Sequence, residues 1–290
     1  MERISETDLI LNSDGSIYHL NLLPEDISDT IILVGDPDRV PRVSSFFDHI
    51  ELKKGKREFI THTGWIGNKR LTVISTGIGT DNIDIVLNEL DALVNIDLST
   101  RLFHPQFRSI DIIRIGTSGA LQADIPIDSL LVSSGAFGLD SLMHFYEHQL
   151  NNNDEQLLKE FHEVITSHFN LKPYYAPAGK KLLDLLGNIA PHGITLTAPG
   201  FYSPQGRQVR ATSSTPNLLS RLSSFKSSNG SQITNLEMET AGIYGLAACL
   251  GHQALSCNVI LANRSTNKFS NDPLTTMDNF IALILDTISG

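Results

Sequence analysis

Two short segments set glycine and arginine beside apolar runs. Gly35-Asp36-Pro37-Asp38-Arg39-Val40 follows Ile31–Val34, and Arg114-Ile115-Gly116-Thr117-Ser118-Gly119-Ala120 continues the run that starts at Ile110. Glycine at a strand end lets backbone N–H groups come close to an anion. Arg39 can grip a phosphate through two N–H groups at once, and Thr117 and Ser118 add hydroxyls. Arg114 stands inside an otherwise apolar stretch, where an unpaired guanidinium is costly, so an anionic partner is expected for it. Two strand ends of this kind meet at the carboxyl edge of an open α/β sheet, where ligands bind. The plainer readings are a β-turn with a surface arginine for the first segment and an internal salt bridge for the second.

Further groups could complete a site. Thr76-Gly77-Ile78-Gly79-Thr80 precedes a helical pattern. It can cradle an oxyanion at the helix start or be only a tight strand-to-helix turn. It lacks the third glycine of GxGxxG, so no dinucleotide site is expected. Glu237-Met238-Glu239 places carboxylates at an expected helix start, where the helix dipole favours them. A carboxylate among apolar residues can also accept two hydrogen bonds from a sugar diol, and Met238 offers a soft surface under the ring. Gln205 and Arg207, in Phe201-Tyr202-Ser203-Pro204-Gln205-Gly206-Arg207, suit a planar ligand that presents carbonyls and an N–H. Singly, each reads as a solvated loop residue. The histidines include no HExxH or other metal spacing, so no metal centre is expected.

The elements that must position these groups are legible as runs and stripes. Ile31–Val34, Leu71–Ser75, Ile110–Ile115, a stretch near Leu130 and Asn258–Ala262 read as strands covered on both faces. Ile83, Val86, Leu87, Leu90, Leu93 and Val94 form one helical stripe. Further helices are expected over Asp154–Phe169, from near Glu237 to Gly251, and over Thr275–Ile288. Ser99–Ser109 and Ser223–Ser231 read as loops. Alternating strands and helices imply an α/β fold around a central sheet. With no linker and no repeat in sight, residues 1–290 are expected to form a single domain.

Composition narrows the function classes. Lys plus Arg is 22 and Asp plus Glu is 32, a net charge of −10. With no basic run, neither a nucleic-acid partner nor a membrane surface is expected. Two cysteines, Cys249 and Cys257, exclude a disulfide scaffold. The longest apolar run, Phe280–Leu285, is far short of the roughly 20 residues of a membrane span. The N-terminal MERISETDLILN has no apolar core, so no signal peptide and a reducing, cytoplasmic setting are expected.

Eight stretches, in order along the chain, carry a resemblance: HLNLL at His19–Leu23, GDPDRV at Gly35–Val40, REF at Arg57–Phe59, STGIG at Ser75–Gly79, RIGTSGA at Arg114–Ala120, FYSPQGR at Phe201–Arg207, EME at Glu237–Glu239 and ANR at Ala262–Arg264. The set resembles the nucleoside phosphorylase family, most closely its uridine phosphorylase branch. The resemblance implies a single-domain α/β/α sandwich around a central mixed, partly barrel-like sheet. It implies reversible phosphorolysis of a nucleoside, with inorganic phosphate as co-substrate and no cofactor. Gly35, Arg39, Arg57, Arg114 and Thr117 match the phosphate site, with Arg57 supplied by a neighbouring subunit. His19, also from the neighbour, Met238 and Glu239 match the ribose contacts. Phe201, Gln205, Arg207 and Arg264 match the base contacts. Arg114, Arg207, Gln205 and Glu239 then act in the reaction.

The purine-cleaving relatives carry an Asp after the late strand, and here Leu261-Ala262-Asn263-Arg264-Ser265 has no acid. This favours a pyrimidine, and with the Gln205/Arg207 pair uridine is the expected substrate, giving uracil and ribose 1-phosphate, with thymidine and deoxyuridine left open beside it. The alternatives are a purine nucleoside phosphorylase, a nucleosidase that uses water, or a non-catalytic nucleoside-binding relative. Leu236 stands where many relatives have an aromatic, Gly206 replaces a common acid, and Ser203-Pro204 reorders the usual Pro-Gly. The Asp97–Ser109 segment is longer than in compact bacterial relatives. The family forms dimers or trimers of dimers, so a homo-oligomer with shared sites is expected. Glu58, Ile78 and Asn82 align with an interface site for a monovalent cation, Asn82 replacing the usual Ser.

Overall fold

The computed structural model describes residues 3–290, and Met1 and Glu2, which open the acidic N-terminal stretch, lie outside the described residues. The described residues form thirteen strands and seven α-helices. The first wing of the molecule comprises β1 (Thr30–Val34), β2 (His49–Lys56), β3 (Phe59–Ile66) and β4 (Lys69–Ser75), while β5 (Ile96–Asp97) and β6 (Leu102–Phe103) pair as a separate two-stranded sheet. The longer strands follow: β7 (Asp111–Ala120), β8 (Ser129–Gly138), β9 (Tyr174–Pro177), β10 (His192–Thr197), β11 (Ile233–Glu237), β12 (Gln253–Asn263) and β13 (Lys268–Phe269). The helices are α1 (Arg39–Ser44), α2 (Thr80–Asn95), α3 (Asn152–Thr166), α4 (Lys180–Leu186), α5 (Leu218–Ser224), α6 (Thr240–Cys249) and α7 (Pro273–Ser289).

Two sequence expectations shift. The strand expected to end at Ile115 runs on to Ala120, because β12 pairs with β7 along that whole length. The glycines of RIGTSGA are therefore strand residues rather than a turn, and Arg114 sits mid-strand. The helix expected from near Glu237 begins at Thr240, and Glu237 closes β11. The Glu237 carboxylate accepts the N–H groups of Glu239 and Thr240, satisfying donors that a helix start leaves free.

Strand β7 explains how one sheet becomes both wing and barrel. On one edge it pairs with β12 throughout. On the other, Asp111–Arg114 pair with β1, and Gly119–Ala120 pair with β11. The first partner extends into the wing β1-β4-β3-β2. The second closes a ring in the order β7-β12-β8-β10-β11, returning to β7, with parallel and antiparallel pairs mixed. The result is a mixed, partly barrel-like sheet.

Helices cover both faces. Along β1, Ile31 and Leu33 join a core with Ile83, Leu87 and Leu90 of α2 and Ile243 and Ala247 of α6. Ile32 and Val34 join the opposite core, with Val40 of α1, Leu182 of α4 and Ile281 and Ile284 of α7. This period-2 division is why the run is apolar at every position. A third core lies beneath α3 and α5, where Phe161 stacks on Phe137 at 4.0 Å between centroids and meets Phe225 edge-on at 5.3 Å. Phe161 is fully buried. Phe161→Ala should cost about 3–5 kcal/mol, read as a lower urea midpoint. An unchanged midpoint would mean that this third core adds nothing to stability.

Candidate active site

The Arg114 side chain, only 4% exposed, folds back over its own strand. A Cβ on Gly116 would overlap the guanidinium, so glycine two residues on is what allows this path. Nη1 donates to Asn258 Oδ1 at 2.9 Å, and Nη2 donates to Glu239 Oε2 at 2.6 Å and lies 3.1 Å from Glu237 Oε2. Burial pulls the guanidinium pKa down, but Glu237 and then Glu239 more than offset this and hold it above its ordinary value. The plainer expectation, an internal salt bridge, is thus present in the unliganded chain. Glu239 Oε1 also accepts the Gly79 N–H at 2.7 Å, which ties the glycine-rich turn to this cluster. Burial pushes the Glu239 carboxyl above its ordinary value, opposed by Arg114 and reinforced by Glu237. Met238 lies partly exposed between the two carboxylates.

Arg39 opens α1, and its Nη1 donates to the Ile115 carbonyl at 3.2 Å. Burial, then the like charge of Arg114, lowers its pKa to about 10, so it stays cationic at neutral pH. The carboxylates of Asp36 and then Glu239 raise it in part, but neither forms an ion pair with Arg39 among the described residues. Gly35 approaches the backbone carbonyl of Gly77, which brings the GDPDRV and TGIG turns side by side. Thr117 is half-buried on β7. Two arginines repel each other here beside hydroxyls and glycine turns, an arrangement that a bound anion would relieve.

Phe201, Gln205, Arg207 and Arg264 form a second cluster. The Arg207 guanidinium lies 3.7 Å from the Phe201 ring centroid. Its Nη1 donates to Gln205 Oε1 at 2.7 Å and to the Phe201 carbonyl at 2.6 Å. Arg264 Nη1 donates to the Gln205 carbonyl at 3.1 Å, and its side chain runs over Gly119 of β7. Burial and then Arg264 lower the Arg207 pKa to about 10. No carboxylate joins this cluster among the described residues. Gly206 has φ +67, and a side chain there would press into Leu219, so an acid at this position does not fit. Leu236, in place of the aromatic, belongs to the third apolar core. Asn263 is spent on its own turn, bonding the Gln122 and Ile125 carbonyls and the Ser265 and Thr266 N–H groups.

His19 and Arg57 do not join either cluster within one chain. His19 Nδ1 lies 2.6 Å from Glu89 Oε1, and that carboxylate also accepts the N–H groups of His19 and Leu20. Glu89 is ten residues past Gly79 (89 − 79 = 10), about 15 Å along α2 at 1.5 Å per residue. Arg57 is exposed in the tight β2–β3 turn, with φ +56. Next to it, Asn82 Nδ2 donates to Glu58 Oε1 at 3.3 Å, while Ile78 is exposed. No cluster of His, Cys, Asp or Glu suited to a metal occurs among the described residues. Among the described residues, no helix is long and apolar enough to cross a membrane. A cavity of about 670 Å³, lined by residues such as Met143, Tyr146, Lys159 and Tyr174, shares no residue with either cluster. Sequence reasoning passed over Asn258, although an Asn in a strand as apolar as NVILA was a visible signal. It also missed Glu89, which has no local signature.

Comparison with known proteins gives these clusters a setting. The phosphorylase superfamily model matches residues 29–284. A uridine phosphorylase of Thermococcus kodakarensis is 29% identical over 93% of this chain and 85% of its own. A DeoD-type purine nucleoside phosphorylase of Buchnera aphidicola is 25% identical over 94% of this chain and 99% of its own. Among solved structures, a Trypanosoma brucei nucleoside phosphorylase, described as showing uridine phosphorylase activity, is similar with a TM-score of 0.88 and 29% identity. That match covers 98% of this chain and all of the other. The chain with its buried Arg114–Glu239 pair and closed mixed sheet belongs to the phosphorylase superfamily, in its nucleoside phosphorylase family.

Proposed function

We propose that this chain catalyses the reversible phosphorolysis of uridine to uracil and ribose 1-phosphate. The observation that carries the base assignment is the Arg207–Gln205 pair, backed by Arg264, in a cluster without a carboxylate. With Gln205 Oε1 engaged by Arg207, its Nε2 remains to donate to a base carbonyl, and Arg207 faces the charge that develops on the base. Cleavage of the glycosidic bond leaves its electron pair on the uracil ring, spread over the carbonyl oxygens. The sugar becomes oxocarbenium-like. Phosphate held by Arg39 and Arg114, with Gly35 and Thr117, attacks C1′ of that centre and forms the new C–O bond, and the proton that hydrogen phosphate gives up ends on the uracil nitrogen. Glu239 takes the ribose hydroxyls over Met238. Electrostatic stabilisation of both charges supplies the catalysis, with no covalent enzyme intermediate.

The site is completed by a second copy of the chain in this reading. Neither His19 nor Arg57 is bonded to its own Arg114 among the described residues, and in this reading each serves a neighbour. Glu58, Asn82 and Ile78 would then lie at the same interface, as the place for a monovalent cation. A homodimer is the smallest assembly that meets this requirement.

Three outcomes test the reading. Uridine should disappear only when phosphate is present, with uracil and ribose 1-phosphate formed. Consumption of inosine instead would overturn the base assignment, and turnover without phosphate would make the protein a nucleosidase. Arg207→Ala should lower kcat by about 10²–10³, the loss seen when one donor to a developing anion is removed. Inactive His19→Ala and inactive Arg207→Ala proteins, mixed under conditions of proven subunit exchange, should regain activity. No recovery would mean that each chain holds a complete site.

A further inference from the structure

A chain of buried polar side chains crosses the ring and leads to Arg114. Asn258 Nδ2 donates to Ser133 Oγ at 2.9 Å and to Ser256 Oγ at 3.2 Å, and because the Arg114 guanidinium can only donate, Oδ1 is the end of the amide that faces it. Ser133 Oγ meets Thr195 Oγ1 at 2.6 Å, Thr195 donates to Asn235 Oδ1 at 3.0 Å, and Asn235 Nδ2 donates to Ser118 Oγ at 2.9 Å. Thr240, next to Glu239, donates to Ser256 Oγ at 3.0 Å. The Tyr244 hydroxyl bridges the Ser133 carbonyl and the Ser256 N–H at 2.7 Å each. Every ring strand contributes, and all these side chains are buried. A satisfied buried network of this kind is rigid, and removing one member strands the others.

From this geometry we infer that Asn258 is a positioning residue for phosphate, setting the direction of the Arg114 guanidinium without cancelling its charge. The inference rests on the phosphate role given to Arg114 above. Three side chains hold that guanidinium, and two are carboxylates that compete with an incoming anion. Asn258 is the neutral one. A carboxylate there would neutralise the cation further, and an apolar residue would leave Nη1 without an acceptor in a buried site. The amide satisfies both demands only because Ser133 and Ser256 hold its other end. Strand pairing sets Asn258 opposite Gly116, the residue whose missing side chain gives the guanidinium its room.

Asn258→Asp and Asn258→Leu separate this role from a merely structural one. Asp is isosteric and still accepts from Nη1, and the serine hydroxyls can turn to donate to it, so the fold is kept while the charge changes. The KM for phosphate should rise at least tenfold in Asn258→Asp, with the KM for the nucleoside within about twofold. Inorganic phosphate should raise the melting temperature of the wild type more than that of the variant. Asn258→Leu should show the same split if it folds, and Asn258→Asp decides the matter if it does not. Unchanged phosphate KM in Asn258→Asp, beside an active wild type, overturns the inference alone. Equal rises in both KM values point to a general structural role and also overturn it. A wild type that neither turns over a nucleoside nor responds to phosphate removes the functional reading, and the inference falls with it.

Discussion

A guanidinium is charged at any physiological pH, and Arg114 places one in the middle of a strand that is buried on both faces. Desolvating such an ion costs several kcal/mol unless geometry and hydrogen bonding return the loss. Much of the surrounding structure follows from that demand. Gly116 makes space for the side chain, Asn258 takes Nη1, and Glu239 and Glu237 take Nη2. These partners come from β12, from the end of β11 and from the turn into α6. They can meet only because β7 passes its edge from β1 to β11 and the ring closes. The barrel is thus the device that gathers acceptors around one cation.

The two arginine clusters are balanced differently. Arg114 is compensated by two carboxylates before any ligand arrives, whereas Arg207 and Arg264 face no carboxylate among the described residues, and Arg207 rests on the Phe201 ring. On the proposed reading this difference has a chemical sense. Phosphate enters as an anion and must displace part of the bond between Arg114 and Glu239. The ribose hydroxyls give Glu239 other partners, so each co-substrate eases the binding of the other. The base, by contrast, enters neutral and gains charge only as the glycosidic bond breaks. An uncompensated cation beside it interacts more strongly with the transition state than with the ground state, which is the requirement for catalysis.

What was legible in the sequence was local. Apolar runs located the strand cores, the stripe through Ile83 and Leu90 located α2, and each arginine stood in a short motif of recognisable chemistry. What was not legible depended on pairing between distant segments. RIGTSGA read as a strand followed by a turn, since its two glycines have low strand propensity. Pairing with β12 overrides that preference. The helix start near Glu237 was misplaced because a carboxylate that caps a helix from the preceding strand looks like one inside the first turn. Asn258 was passed over because its value lies in Ser133, Ser256 and Arg114, none of them its neighbour in sequence. The closed ring had no signature in any single segment.

Helix α2 connects the local and the distant in another way. At its N-terminus the Gly79 N–H binds Glu239, and about 15 Å further on Glu89 clamps His19 through its ring and two backbone N–H groups. If His19 serves a neighbour's ribose, then one rigid helix joins the sugar carboxylate of a chain's own site to the sugar histidine that it lends. A carboxylate accepting two backbone N–H groups and one imidazole leaves His19 little freedom, so the lent group arrives already oriented. The entropy of ordering it is then lost in folding rather than at each turnover.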